Sequence, residues 1–187
     1  MLLSDRELQA AMDDGRLVVE PLQPNAIQPA SIDLTLHNIF WVQNFPQGEG
    51  LEFTVDVTAR VYDYAEMKEL DEVILEPGDF VLGETAEGLS LADDLCGLIE
   101  GKSGRARHGL IVHCTAPHIS PGWGMDPPSE GSHQKVPNPH RITLEIKNLG
   151  RARLRLRAGT AIAQLMVAQT GEPARAGYAG KMMAEGS

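Results

Sequence analysis

The sequence predicts a mainly β fold, a β-barrel or jelly-roll-type sandwich with one short helix at its N-terminus. Three observations carry this. Apolar and polar residues alternate over short stretches, Gly- or Pro-bearing turns separate those stretches at regular spacing, and helical periodicity is almost absent after the first fifteen residues.

The helix comes first. Ser4-Asp5-Arg6-Glu7 reads as a capping box, Leu8, Ala11 and Met12 supply a short apolar face, and Gly15 is a natural stop. Ile32, Leu34 and Leu36 then alternate with Ser31, Asp33 and Thr35, the pattern of a half-buried strand. Further strands are expected at Ile39 to Val42, Leu51 to Val57, Val73 to Leu75 and Phe80 to Gly83. In the second half they are expected at Leu110 to His113, Ile142 to Ile146, Leu154 to Leu156 and Ile162 to Val167. Residues 125–140 sit inside a proline-rich stretch without period and are expected to form a long inserted loop. Residues 1–168 read as a single domain and 169–187 as a mobile, Gly/Ala-rich tail.

Charge and composition narrow the function. The net charge of -10 argues against a nucleic-acid polymer as partner. The charge is uneven: residues 1–100 hold 4 Lys and Arg against 21 Asp and Glu, residues 101–187 hold 12 against 5. A basic half in an acidic chain suits a small anionic ligand or a contact between subunits. No run approaches the ~18 apolar residues of a membrane span, and no signal-peptide pattern opens the chain. Cys96 and Cys114 form no C-x-x-C pair, which fits a reduced, cytoplasmic setting.

Chemistry concentrates in Glu100-Gly101-Lys102-Ser103-Gly104-Arg105-Ala106-Arg107-His108-Gly109, a turn between two apolar runs. Glycine-freed amides and nearby cations suit phosphate oxygens, although the spacing is not that of a Walker A loop and a solvated basic turn has the same composition. In Arg141 to Asn148, alternation puts Ile142, Leu144 and Ile146 on one face and Thr143, Glu145 and Lys147 on the other. That second face is either solvated or lines a pocket with Glu145 as acid or base. The six histidines form no zinc-ligand spacing, and the zinc-deaminase signature is missing, so no protein-bound metal is expected. Arg151, Arg153, Arg155 and Arg157 alternate with small or apolar residues as one cationic strand face, for which acidic partners across a subunit interface are expected.

Read together, these residues resemble the dCTP deaminase family of the dUTPase-like superfamily. The resemblance rests on Met1 to Leu8, on Gln28-Pro29-Ala30-Ser31-Ile32-Asp33-Leu34, and on the basic turn. It continues through His113-Cys114-Thr115-Ala116 with Ile119 and Pro121-Gly122-Trp123, Arg141 to Asn148, and Gly159 to Leu165, in order to about residue 168. It implies a dUTPase-like fold, a homotrimer with active sites between subunits, and zinc-independent hydrolytic deamination of dCTP to dUTP and ammonia. Mg2+ would arrive on the triphosphate.

By the same resemblance, Glu145 activates water for attack on C4 of cytosine, and Ser103 and Arg107 orient that water or the departing ammonia. The backbone at Ala116 reads the base edge, while Lys102 and the amides around Gly104 face the phosphates. Arg105, Thr115, His118, Ser120, Tyr178 and Lys181 complete the implied nucleotide contacts. The chain departs from the family pattern at Gly104-Arg105 (Ser-Leu in the family), at His118 (Arg) and at Ser120 (Asp), and by its insertion. These departures leave an altered or modified cytosine nucleotide open as substrate. A dUTP pyrophosphatase, alone or combined with the deaminase, and a non-catalytic nucleotide-binding regulatory protein are the alternatives.

Overall fold

Strand pairing through one long, bent strand organises the molecule. The computed structural model describes residues 1–43, 54–56, 58, 64–112, 115–129 and 135–178. It opens with α1 (Asp5–Asp13), whose capping box forms as the sequence predicts. The Ser4 amide and hydroxyl both donate to Glu7 Oε2 at 2.8 Å. Those bonds hold the Glu7 carboxyl below its ordinary pKa, the backbone bond being the larger cause. Leu8 and Ala11 face the core, and Gly15 ends the helix at φ +69°.

Next come β1 (Leu17–Glu20), β2 (Ile27–Gln28), β3 (Ser31–Gln43), β4 (Ala65–Glu69), β5 (Glu72–Leu75), β6 (Phe80–Leu91) and β7 (Leu95–Gly101). After a single helical turn, α2 (Ser103–Ala106), follow β8 (Leu110–Val112), β9 (His118–Ile119), β10 (Met125–Asp126) and β11 (Val136–Pro137). Among the described residues, β12 (His140–Asn148), β13 (Leu154–Arg157) and β14 (Ala161–Gln169) follow. The ten-stranded sheet runs β8-β12-β6-β3-β14-β7-β9, with β1 also on β6 and β2 and β4 on β3. Every strand pair among the described residues is antiparallel.

The pivot is β3. Its first half pairs with β14 through Ile32 to Thr35, and its second half pairs with β6 and β4. The register shifts between Leu36 and Phe40, where the alternation of buried and half-buried residues also breaks. One strand thus passes from one side of the curled sheet to the other, the corner by which a sheet closes around its core. Ile32, Leu34, Leu36 and Phe40 are each at most 1% exposed within the aliphatic cluster. Each buries apolar area worth roughly 1.5–3 kcal/mol.

At this corner sits a buried carboxylate. Glu87 is 0% exposed and accepts from Thr35 N (2.9 Å) and Thr35 Oγ1 (2.7 Å). Thr85 Oγ1 donates to Glu87 O at 2.7 Å and accepts from Ile142 N at 2.9 Å. That hydroxyl fills the gap where the β12–β6 register slips between Arg141 and Thr143.

Several expectations change. The strands expected at Ile32 and at Ile39 are one strand, and β6 continues eight residues past Gly83 to Leu91. Of Leu51 to Val57, residues 51–53 and 57 lie outside the described residues, and 54–56 belong to no strand. The insertion is not all loop: β10 and β11 pair as a short ribbon, Met125 opposite Pro137 and Asp126 opposite Val136. The proline survives there because a two-stranded ribbon leaves one edge of each strand unpaired.

Candidate active site

The basic turn is helical, not merely bent. Lys102 O accepts from Arg105 N (2.9 Å) and Ala106 N (3.0 Å), and Ser103 O accepts from Arg107 N (3.2 Å). One turn is too short to leave a helical period in the sequence. Gly109 closes it at φ +87°, and a Cβ there would stand 2.6 Å from Gly150 N. Glycine is required on both counts. Leu149 N donates to Gly109 O at 2.8 Å. The turn is thereby fastened to the end of β12, the strand that carries Glu145.

Asn148 completes that fastening. Its buried side chain donates to Leu75 O (3.0 Å) and Ala152 O (2.8 Å) and accepts from Gly150 N (2.9 Å). On the same strand Ile142, Leu144 and Ile146 are buried, while Thr143, Glu145 and Lys147 are half-buried. The alternation read from sequence is correct, and Glu145, opposite Leu82 of β6, is not on an open solvated face.

Ser103, Gly104, Arg105 and Arg107 are exposed on the turn, whereas Lys102 is partly buried and donates to Asp33 Oδ1. Asp33 comes from the Gln28-to-Leu34 motif and lies opposite Gln164 of β14, itself opposite Glu100. Thr115 and Ala116 are exposed, and His118 is exposed on β9 opposite Leu98 of β7. Ser120 is half-buried, and its carbonyl accepts from Trp123 N at 3.2 Å. The Tyr178 ring lies 5.1 Å from that of Trp123 at 33°, and its amide donates to Pro121 O at 2.8 Å. Lys181 lies outside the described residues, as do His113 and Cys114.

A cavity of about 770 Å³ lies beside the turn, lined by Arg105, His108, Arg153, Arg155 and Arg157 over an aliphatic floor. It takes in Arg105 but neither Glu145, Ser103 nor Arg107. The arginine face corrects one expectation in part: Arg153, Arg155 and Arg157 find acidic partners within the chain. Because β13 pairs with β5, Arg153 Nε meets Glu76 at 2.7 Å, and Arg157 and Arg155 meet Glu72 at 3.4 and 3.7 Å. These exposed pairs are worth at most about 1 kcal/mol each.

The family model described as dCTP deaminase-like matches residues 2–170. The chain belongs to that family. Among similar curated proteins is the "dCTP deaminase, dUMP-forming" of Mycolicibacterium vanbaalenii, 37% identical over 181 residues, covering 95% of this chain and 85% of that one. The protein of the same name from Nocardia farcinica is 38% identical over 181 residues, covering 95% and 81%. Among solved structures, the 2'-deoxycytidine 5'-triphosphate deaminase of Agrobacterium tumefaciens superposes with a TM-score of 0.56 at 21% identity. That likeness covers 89% of this chain and spans about half (47%) of the other, and it supports the fold alone.

Sequence reasoning missed several residues around this candidate site. Asp33 was legible as a strand and motif position but not as the partner of Lys102, which lies 69 residues on. Asn148 closes a matched motif, but its bond to Leu75 O spans 73 residues, which only the fold brings together. Lys135, inside the insertion, meets Asp93 at 2.7 Å.

Proposed function

We propose that this chain deaminates dCTP and carries the product on to dUMP: dCTP and two waters give dUMP, pyrophosphate and ammonia. The observation that carries this reading is the 37% identity across 95% of the chain to a protein named as the dUMP-forming enzyme, with Glu145, Ser103 and Arg107 at the motif positions. It favours the combined deaminase and pyrophosphatase over release of dUTP, which the resemblance alone implied.

In this reading Glu145 takes a proton from the water that attacks C4 and delivers it toward the base, so that the tetrahedral carbon expels ammonia. The Ser103 hydroxyl and the Arg107 guanidinium fix the water and the departing ammonia, and they stabilise charge where it develops. Ala116 offers its backbone to the cytosine edge. Lys102, Gly104 and Arg105 meet the phosphates, with Thr115, His118, Ser120, Tyr178 and Lys181 around the remaining nucleotide. Mg2+ enters on the triphosphate as part of the substrate. Glu145 and Lys147 on the half-buried face of β12, with the turn fastened to that strand's end, support this placement.

We also propose a homotrimer with sites between subunits. The turn's exposed groups, and a cavity that takes Arg105 without Glu145, support sites completed by a neighbouring copy. A specific observation favours dUTP as a released product: Ser120 stands where the family pattern has an aspartate. Incubation with Mg·dCTP and separation of dUMP, dUTP, pyrophosphate and ammonia decides between the two products.

A further inference from the structure

Three segments distant in sequence meet at Asp93, in the turn between β6 and β7. Its carboxylate accepts from Lys135 Nζ of the insertion at 2.7 Å, and its carbonyl accepts from Ala174 N at 2.8 Å. Beside it, Asp94 O accepts from Thr170 N (2.9 Å) and Thr170 Oγ1 (3.1 Å), and Asp94 Oδ2 accepts from Arg16 Nη1 (2.6 Å). The segment 170–178 is therefore laid along this turn.

Its far end lands on the residues that follow Ser120. Tyr178 N donates to Pro121 O, and the Tyr178 ring stacks obliquely on Trp123. Between these points Gly177 covers the ion pair. A Cβ there would stand 2.3 Å from Lys135 Nζ and 2.5 Å from Asp93 Oδ1, and the Gly122 Cα is within reach on the other side at 3.3 Å. Lys135 and Asp93 are each 29% exposed in their side chains, so the pair is shielded more than a surface ion pair.

We propose that Lys135 is a positioning residue: by pairing with Asp93 beneath Gly177 it clamps the C-terminal segment onto the Pro121–Gly124 turn. The clamp sets Tyr178 and Ser120, two of the residues assigned to the nucleotide, in fixed relation. This gives the insertion a defined job, tuning substrate binding through backbone placement without touching the substrate. The inference rests on the functional reading above for its kinetic part and on the free chain for its structural part.

The test compares Lys135→Ala, Lys135→Arg and the charge exchange Asp93→Lys with Lys135→Asp, all in the full chain. Tryptic cleavage after Arg175, followed by mass spectrometry, reports on the clamp without substrate. Fluorescence of Trp123, isolated by Trp41→Phe in every variant, reports on the Tyr178 stack. Lys135→Ala should cleave at least about fivefold faster after Arg175 and shift the emission, with an unchanged far-UV CD spectrum. Its KM for dCTP should rise about fivefold with kcat within about twofold. Lys135→Arg should restore all of these, and the charge exchange should restore the cleavage rate. Unchanged cleavage and emission in Lys135→Ala overturn the proposal, as does a loss of kcat and fold together that Lys135→Arg does not rescue. If the parent chain releases no ammonia from dCTP, the functional reading fails while cleavage and emission still decide the clamp.

Discussion

The Lys102 ammonium donates to the carboxylate of Asp33, joining the basic turn to a strand 69 residues earlier in the chain. The two side chains are 28% and 21% exposed, so the ammonium proposed to meet the phosphates is held in place before any ligand arrives. Asp33→Asn keeps a polar neighbour but removes the charge. Ordering a lysine side chain costs up to about 2 kcal/mol, which binding must then supply. The expected result is a rise of about fivefold in the dissociation constant for Mg·dCTP, read by isothermal titration with a chain carrying Glu145→Gln. Tighter binding would mean that Asp33 competes with the phosphates instead of aiming Lys102.

Glu87 gives a stability prediction independent of function. Glu87→Ala leaves the partly buried Thr35 amide and hydroxyl without an acceptor, and should cost about 3 kcal/mol by urea unfolding. Glu87→Gln can still accept from the amide, while the Thr35 hydroxyl turns to accept from the new NH2 group. Its cost should be nearer about 1 kcal/mol. Equal costs would show that the charge itself, not the satisfaction of donors, holds the corner.

His37 predicts a pH dependence. Burial, then the charge of Arg141, lowers its pKa from the ordinary 6.5. Its Nδ1 is buried without a hydrogen-bond partner among the described residues. A folded pKa below the unfolded one means that the unfolded chain takes up the proton first. The stability present above pH 6.5 is therefore lost as pH falls toward the folded value. Melting temperatures from pH 7.5 to 5 should drop more in the parent chain than in His37→Gln. Parallel curves would remove His37 as the cause.

Much of the fold around the candidate site was legible because its signals are local. The Ser4–Glu7 cap, the alternation around Glu145 and the motif order each need only a few consecutive residues. What escaped was non-local or irregular. The β3 corner breaks its own alternation at His37-Asn38-Ile39, so one strand reads as two. In β6 the buried polar residues Thr85, Glu87 and Ser90 hide a strand that reaches Leu91. The arginine face was visible, but its partners Glu72 and Glu76 could be assigned only once β13 was known to pair with β5. Asp33 and Lys135 are ordinary charged residues until the fold brings their partners to them.

Glu145 is proposed to drive hydrolytic deamination of dCTP. The direct measurement is ammonia, dUMP and pyrophosphate released from Mg·dCTP by the parent chain and by Glu145→Gln. The parent should release the three products in equal amounts. Glu145→Gln should lose about 10²–10⁴-fold in kcat, with the far-UV CD spectrum unchanged. Absence of ammonia release by the parent, or ammonia release that persists in Glu145→Gln, would contradict it.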